Sequence, residues 1–340
     1  LSFKLDGGVR LLSGRVELGQ GIATALIQIA ADELEVGMDT IKLIQGHSEI
    51  SPAEGPTVGS LSITFGGQSI RLATSAARSL MLETAAGLLQ TTSNALTVQA
   101  GNILKDGLET GLSYASLSQS VDLVVSAMDY ARPKAAADRR MTGIAVPRVD
   151  LAARLRADYL LHDMVLEGMF HGRVVQPPSL TSIADEVPEP KNGATLVRDG
   201  QFLSVVAKDE YTALCEANRL ASEIEWLNVK VGESHPIDCL DGTIAESETL
   251  YDSDELNAGI TEVSVTLTKP IISHASIGLS CAIAQWEGDD LTVWAHSQNV
   301  FALKTSLARV LKHPAAKITV IFAPGAGCYG HNSSDDVALD

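Results

Sequence analysis

The chain has 340 residues and a net charge of −17, its 25 Lys and Arg being outnumbered by 42 Asp and Glu. Without a basic patch, nucleic-acid binding is excluded as a function, because neutralising phosphates takes clustered Lys and Arg; the acidic surface reads as solubilising. A hydrophobic content of 45% describes a globular chain with room for two or more cores, and no apolar run reaches the roughly 20 residues of a membrane span.

Leu1 to Lys4 shows no charged and apolar regions of a signal peptide and opens directly on strand-like sequence. Val9 to Val16 reads as a strand and Gly19-Gln20-Gly21 as a turn. Ile22, Leu26, Ile29, Ala30 and Leu34 then mark one apolar helix face. Ile41 to Ile44 is a second strand. A polar, glycine-bearing stretch, His47 to Gly67, leads into another helix with Ile70, Ala73, Ala77, Leu80 and Leu88 on its inner face. Strand, turn and helix twice over is an α/β pattern.

Lys134 to Arg140 is small and basic and reads as a linker. Beyond it, Met169 to Val175 and Phe202 to Ala207 are strands and Glu210 to Trp226 a helix, an α+β unit closing near Asp252. Further strands are expected at Val263 to Leu267, Ala282 to Trp286, Leu291 to Ala295 and Ile318 to Ala323, with a helix at Phe301 to Leu311. The last residues, Ser334 to Asp340, stop as a helix starts, so both ends read as cuts through a larger architecture.

Cys215, Cys239, Cys281 and Cys328 form no CxxC pair, which argues against an iron–sulfur cluster, a structural zinc or a disulfide framework in this chain. His162, His171 and His235 have no ligand spacing, so no metal held directly by side chains is expected. His274-Ala275-Ser276 and His296-Ser297-Gln298 pair His with Ser, but no Gly-x-Ser-x-Gly elbow exists for hydrolase chemistry.

Three stretches can meet a bulky, polar ligand. Gly19-Gln20-Gly21 opens a helix, where free N–H groups and the positive dipole end suit an anion; an ordinary tight turn is the bland alternative. It is neither a dinucleotide fingerprint nor a P-loop, which disfavours a flavin or nicotinamide enzyme. Ser60 to Ser69 carries four hydroxyls, a Gly-Gly pair and Gln68, suited to an uncharged grip or to capping a helix. Gly325-Ala326-Gly327-Cys328-Tyr329-Gly330-His331-Asn332 follows a strand, and its glycines let backbone pass close to a ligand.

Taken together, Ser13 to Ile22, Gln28 to Leu34, His296-Ser297-Gln298, Gly325 to Asn332 and Asp335 to Ala338 resemble the molybdopterin-binding subunit of the xanthine oxidase family of molybdenum hydroxylases. The branch they resemble includes isoquinoline 1-oxidoreductase, nicotinate dehydrogenase and bacterial membrane-associated aldehyde dehydrogenases. Gly168 to Pro178 looks like that family's hammerhead domain. As in this branch, the Gly-Gln-Gly segment precedes the hammerhead-like unit.

The resemblance implies an α+β fold in which molybdopterin-binding segments, 1–133 and 253–340, flank a linker at 134–148 and a hammerhead-like domain at 149–252. It implies that Gly19, Gln20, Gly21, Ser60, Ser62, Gly67, Gln68 and Ser69 hold the pterin or its phosphate. Gln298 would hydrogen-bond an oxo ligand of molybdenum, and the Gly327-Cys328-Tyr329-Gly330 backbone would line the metal's ligand sphere. Tyr329 matches an aromatic position of the family, whereas Cys328 and His331 depart from its commonest Gly-Gly-Phe-Gly-Gly form. The implied cofactor is molybdenum–molybdopterin, its cytosine dinucleotide form included.

The implied reaction is oxidation of an aldehyde or N-heteroaromatic carbon, a small-molecule substrate, with water-derived oxygen. Electrons would pass to iron–sulfur clusters on a partner subunit and on to a cytochrome, quinone or flavin subunit. The family's general-base Glu lies near the end of the full-length subunit, so a chain carrying the C-terminal half is a further implied partner; Glu17, Glu33, Glu49 and Glu54 do not occupy its position. A non-catalytic half that completes a cofactor cradle is the alternative. Relatives occur both in the cytoplasm and at the periplasmic face of the membrane.

Overall fold

The computed structural model describes residues 1–121, 124–156, 160–179, 181–229 and 277–330, with positions 248, 249, 263, 265, 267, 275 and 338. The fold is α+β and divides into two compact units, Leu1–Met164 with His274–Asp340, and Val165–Ser273. No helix among the described residues is long and apolar enough to cross a membrane.

The first unit contains two strand–helix–strand modules. In one, helix α1 (Ile22–Leu34) joins strands Val9–Ser13 and Ile41–Gln45, which pair in parallel with Val9 opposite Ile41. The helix begins at Gly21, whose φ of 81° is a left-handed value glycine adopts without strain. Leu26 and Leu34 on its inner face are completely buried, each adding about 1.5–3 kcal/mol. Helix α2 (Gln68–Leu88) packs on α1 through Ile70, Ala77, Met81 and Ala85. Its inner face differs from the apolar stripe expected: Leu88 is exposed, while Thr74 and Ser75 are buried. Their hydroxyls donate to the carbonyls of Ile70 and Leu72 in the preceding turn, so these polar residues pack as small apolar ones.

A three-stranded antiparallel sheet, Leu96–Gln99, Asn102–Lys105 and Leu108–Ser113, follows α2. The sequence reading missed it. Its signals were the tight turns Ala100-Gly101 and Asp106-Gly107, both with positive φ at each residue, as primed hairpin turns require.

In the second module, strands Asp290–Ala295 and Ile318–Phe322 pair in parallel around the Val300–Val310 helix, with Ala282–Glu287 antiparallel at the edge. Leu291, Val293, Leu303, Leu307, Ile318 and Val320 form its core. The two modules are stitched by backbone: Ser48 N–H donates to the Val320 carbonyl at 2.9 Å and Phe322 N–H to the Gly46 carbonyl at 2.7 Å. Four loops therefore leave the carboxyl ends of four parallel-paired strands on linked modules, the place where α/β sheets bind ligands.

The stretch expected to be a linker is instead a strap bound along α1. The Asp32 carboxylate accepts from the N–H groups of Arg140, Met141 and Thr142 and from the Thr142 hydroxyl. Glu33 accepts from Arg71 at 2.6 Å and from the Lys134 N–H, and Gln28 donates to the carbonyls of Met141 and Ile144. Burial alone would raise the Asp32 pKa, but its hydrogen bonds outweigh burial and hold it below the ordinary value. Buried polar groups on α1 need partners, and the strap supplies them.

The second unit is a three-stranded antiparallel sheet ordered His171–Val174, Phe202–Ala207, Thr195–Asp199, covered by the Glu210–Glu223 helix. Asp209 caps that helix by accepting from the N–H groups of Tyr211 and Thr212. Val175, Leu203, Val205, Ala217, Leu220 and Ile224 are its core. The expected closure near Asp252, the Val263 to Leu267 strand, and His235, Cys239, His274 and His331 lie outside the described residues or depend on them.

Candidate functional site

A cavity of about 460 Å³ lies in the first unit at the ends of those four loops. Gln20, Gly21 and Ile22 come from the loop after Val9–Ser13 and the start of α1; Thr57, Ser60, Ser62 and Ile63 come from the loop after Ile41–Gln45. Gln298 follows Asp290–Ala295, and Cys328, Tyr329 and Gly330 follow Ile318–Phe322. Segments from near both ends of the chain thus share one space.

Of the residues the motifs singled out, Gln20, Gly21, Ser60, Ser62, Gln298, Cys328, Tyr329 and Gly330 line this cavity; Gly19, Gly67, Gln68, Ser69 and Gly327 do not. Gly67 packs on α1 instead, since a Cβ there would sit 2.9 Å from Ile29 Cδ1. Ser69 donates its hydroxyl to the Phe65 carbonyl, and Gln68 is exposed. A π-helical turn, Ser62–Gly67, joins the cavity wall to α2. Such wide turns occur often at functional sites.

The Gly-Gln-Gly turn corrects the expectation of an open anion cradle. Its anion is already present in the chain. Glu17 Oε1 accepts from the N–H groups of Gly19 and Gly21, each at 2.9 Å, and Oε2 from Ala23 at 3.0 Å. The carboxylate is 1% exposed, so it satisfies the α1 dipole from inside and leaves those amides nothing to offer a phosphate. Gln20 is also engaged: its Oε1 accepts from Leu18 N–H and its Nε2 donates to the Val16 carbonyl. Arg148 closes the turn by donating to the Gly19 carbonyl and Glu17 Oε1. Arg148 in turn grips Asp150, and with Arg154 it holds that carboxyl well below its ordinary range, at about 2.

Gln298 is 3% exposed. Its Nε2 donates to the Thr57 carbonyl at 3.0 Å, and its own carbonyl accepts from Thr57 N–H at 2.9 Å. The Oε1 atom is buried and has no hydrogen-bond partner among the described residues. An orphaned buried acceptor costs about 1–3 kcal/mol unless a bound group completes it.

The Gly325 to Gly330 loop presses backbone against this wall. A Cβ on Gly325 would lie 2.9 Å from the His296 ring, and one on Gly327, at φ 132°, 2.6 Å from the Tyr329 ring. Tyr329 itself sits at φ 54°, a conformation costing a non-glycine residue about 1–2 kcal/mol. Strain held in a cavity wall marks a site whose geometry is fixed from outside. Cys328 is buried with no disulfide.

No carboxylate lines the cavity among the described residues. Glu17 and Glu33 are committed as above, Glu54 accepts from the Ser13 hydroxyl and Gly14 N–H, and Glu49 pairs with Lys304. No cluster of three metal-ligating side chains occurs among the described residues either.

Residues 1–148 and 248–339 match two family models, each described as a molybdopterin cofactor-binding domain. Together they take in both loops of the first module and the glycine loop. The chain belongs to the molybdopterin cofactor-binding family. It is similar to a nicotinate dehydrogenase subunit of Pseudomonas putida, with 32% identity over 98% of this chain and 30% of the relative. It is also similar to the membrane-bound aldehyde dehydrogenase (pyrroloquinoline-quinone) of Gluconacetobacter polyoxogenes, 31% identical over 65% of this chain and 30% of that protein. The aldehyde oxidoreductase molybdenum-binding subunit PaoC of Escherichia coli K12 matches 20% of the chain and 9% of its own length at 30% identity. The chain spans about 30% of the length of the first two relatives.

The cavity of this molybdopterin-binding chain fits a pterin in its chemistry. Gln298 carries a carboxamide whose buried Oε1 has no partner among the described residues, the Ser60 and Ser62 hydroxyls can donate, and lining glycines leave room for a flat ring system. Two residues of the site escaped the sequence reading in their actual roles: Glu17, as the internal anion, and Thr57. The Glu-x-Gly-x-Gly spacing carried the first, since each alternate amide faces the carboxylate; Thr57 had only its place in Gly55-Pro56-Thr57-Val58-Gly59.

Proposed function

We propose that this chain is the cofactor-holding part of a molybdenum hydroxylase that oxidises an aldehyde or N-heteroaromatic carbon with oxygen from water. The observation that supports it most is the convergence of four strand-end loops on one cavity lined by Gln298, whose buried Oε1 has no hydrogen-bond partner among the described residues. When bound, molybdopterin supplies the two-electron redox chemistry. The chain's own part is to bind and orient it. Gln298, Ser60 and Ser62 would hydrogen-bond the bound group, Gln20 and Gly21 would close one end, and the Cys328-Tyr329-Gly330 segment would line it.

The missing carboxylate among the lining residues supports assigning proton transfer to a group outside the described residues. Electrons leave to iron–sulfur clusters on a partner subunit, a reading that accords with the absence of any CxxC in the sequence and with relatives named as subunits. The Val165–Ser273 unit is the hammerhead-like domain in this proposal.

Turnover of benzaldehyde and of nicotinate by the natively purified protein, run in water enriched in oxygen-18, tests the reaction. The expected product carries the heavy oxygen from solvent. Incorporation only from molecular oxygen contradicts a hydroxylase of this class.

A further inference from the structure

The last stretch of the first unit before Val165 is bonded to two of the cavity's loops from outside. Arg148 Nη1 donates to the Gly19 carbonyl at 2.8 Å and its Nη2 to Glu17 Oε1 at 3.3 Å, while the Val149 N–H donates to the Thr24 hydroxyl at 3.1 Å. Two successive residues thus hold the Gly-Gln-Gly turn and the first turn of α1. Asp150, itself buried, aims the guanidinium by accepting from Arg148 Nε and Nη2 and from Arg154 Nε. Further along the same stretch, the Leu161 N–H donates to the Pro324 carbonyl at 2.6 Å, and His162 Nε2 donates to the Leu279 carbonyl at 2.7 Å. Pro324 has no N–H, so its carbonyl is the backbone group by which the root of the glycine loop can be held. The Leu161 side chain is buried, which fixes that donor in place.

Gln20 and Gly21 line the cavity next to the turn that Arg148 holds, and Cys328, Tyr329 and Gly330 line it beyond the proline that Leu161 holds. Arg148, Val149 and Leu161 themselves do not line it. We infer that Arg148 and Leu161 are positioning residues of the cavity, an outer brace that sets two of its loops from one stretch of chain. Arg148 suits the task because its planar fork meets a carbonyl and a carboxylate at once in a fixed geometry, which a single ammonium cannot do. The brace acts on a bound group only through the loops it holds. This inference rests on the cofactor-holding role proposed above for the identity of the ligand alone; the bonds of the brace are a property of the chain itself.

The test is hydrogen–deuterium exchange of the natively purified protein, with the loss of bound pterin on dilution followed by fluorescence in the same preparations. Arg148→Ala removes the donors to Gly19 and Glu17 and leaves Glu17 its amides. Exchange is expected to quicken about tenfold in the peptide spanning 17–23 and to stay unchanged in the peptide spanning 324–330. Leu161→Pro deletes the donor to Pro324 and gives the converse pattern, while Leu161→Ala, which keeps the N–H, stays closer to wild type in 324–330. Pterin is lost faster from Arg148→Ala and from Leu161→Pro, and Arg148→Lys, which keeps a donor for the Gly19 carbonyl, recovers part of the loss. Unchanged exchange in 17–23 for Arg148→Ala, or a Leu161→Ala that matches Leu161→Pro in 324–330, overturns the brace. Quickened exchange with pterin lost at the wild-type rate overturns the positioning role. A wild type without pterin rejects the cofactor reading above, and the exchange patterns alone then decide the brace.

Discussion

Glu17→Ala is expected to destabilise the first unit by about 3–5 kcal/mol, the cost of stripping a buried anion from its donors. Three N–H groups, those of Gly19, Gly21 and Ala23, lose their acceptor together, and the Arg148 guanidinium loses one of its two carboxylates. The midpoint of urea unfolding, followed by a probe in residues 1–121, reads the loss. Glu17→Gln keeps an oxygen for Gly19 and Gly21 but turns an amide N–H toward Ala23, so an intermediate loss is expected. A loss below about 1 kcal/mol for the alanine variant would show that the amides do not depend on the carboxylate.

Glu33→Ala is expected to cost a similar amount, about 3–5 kcal/mol, by a different route. Glu33 is completely buried and pairs with Arg71, whose side chain is only 11% exposed; removal leaves that guanidinium inside the unit without its counter-ion. The Lys134 N–H loses its acceptor as well, so the strap loosens from α1. The cavity is expected to survive, since the hydrogen-bond and ion-pair partners of Glu33, namely Arg71, Arg78 and Lys134, are not among its lining residues and Thr57, Val16 and Gln298 keep their bonds. Urea unfolding together with proteolysis between Lys134 and Arg148 separates the two variants. Cleavage there should rise sharply for Glu33→Ala and little for Glu17→Gln. Equal resistance in wild type and Glu33→Ala would mean that the strap is held by its other anchors, Asp32, Gln28, Glu35 and the Arg78 and Arg148 contacts, without Glu33.

The two carboxylates show how far the sequence was legible. Helix α1 was readable because its core contacts repeat at the helical period, and so were the strands around it. The acidic residues of its motif carried no assigned role in the sequence, and the fold supplies one: Asp32 and Glu33 serve the strap and Glu17 serves the helix end. A glycine turn before a helix announces donors, and only the fold shows whether a side chain of the same chain has already filled them. Ser60, Ser62 and Gln298 were legible as polar groups on loops, whereas Gly67 looked like a ligand contact and is a packing contact on Ile29. The Thr57–Gln298 clamp joins residues 241 positions apart, and nothing local to either predicts it. The Leu96 to Ser113 sheet was missed for a plainer reason: its hairpin turns are marked by glycines that were not weighed.

The central claim is that four strand ends of this chain build the pocket of a molybdopterin. Metal analysis and fluorescence of the released, oxidised pterin, made on the natively purified protein, test it most directly. About one molybdenum and one pterin per chain are predicted, both lost together when Gln298 is replaced by methionine of similar volume. A homogeneous, folded preparation with neither molybdenum nor pterin would contradict the account and leave the cavity to another ligand.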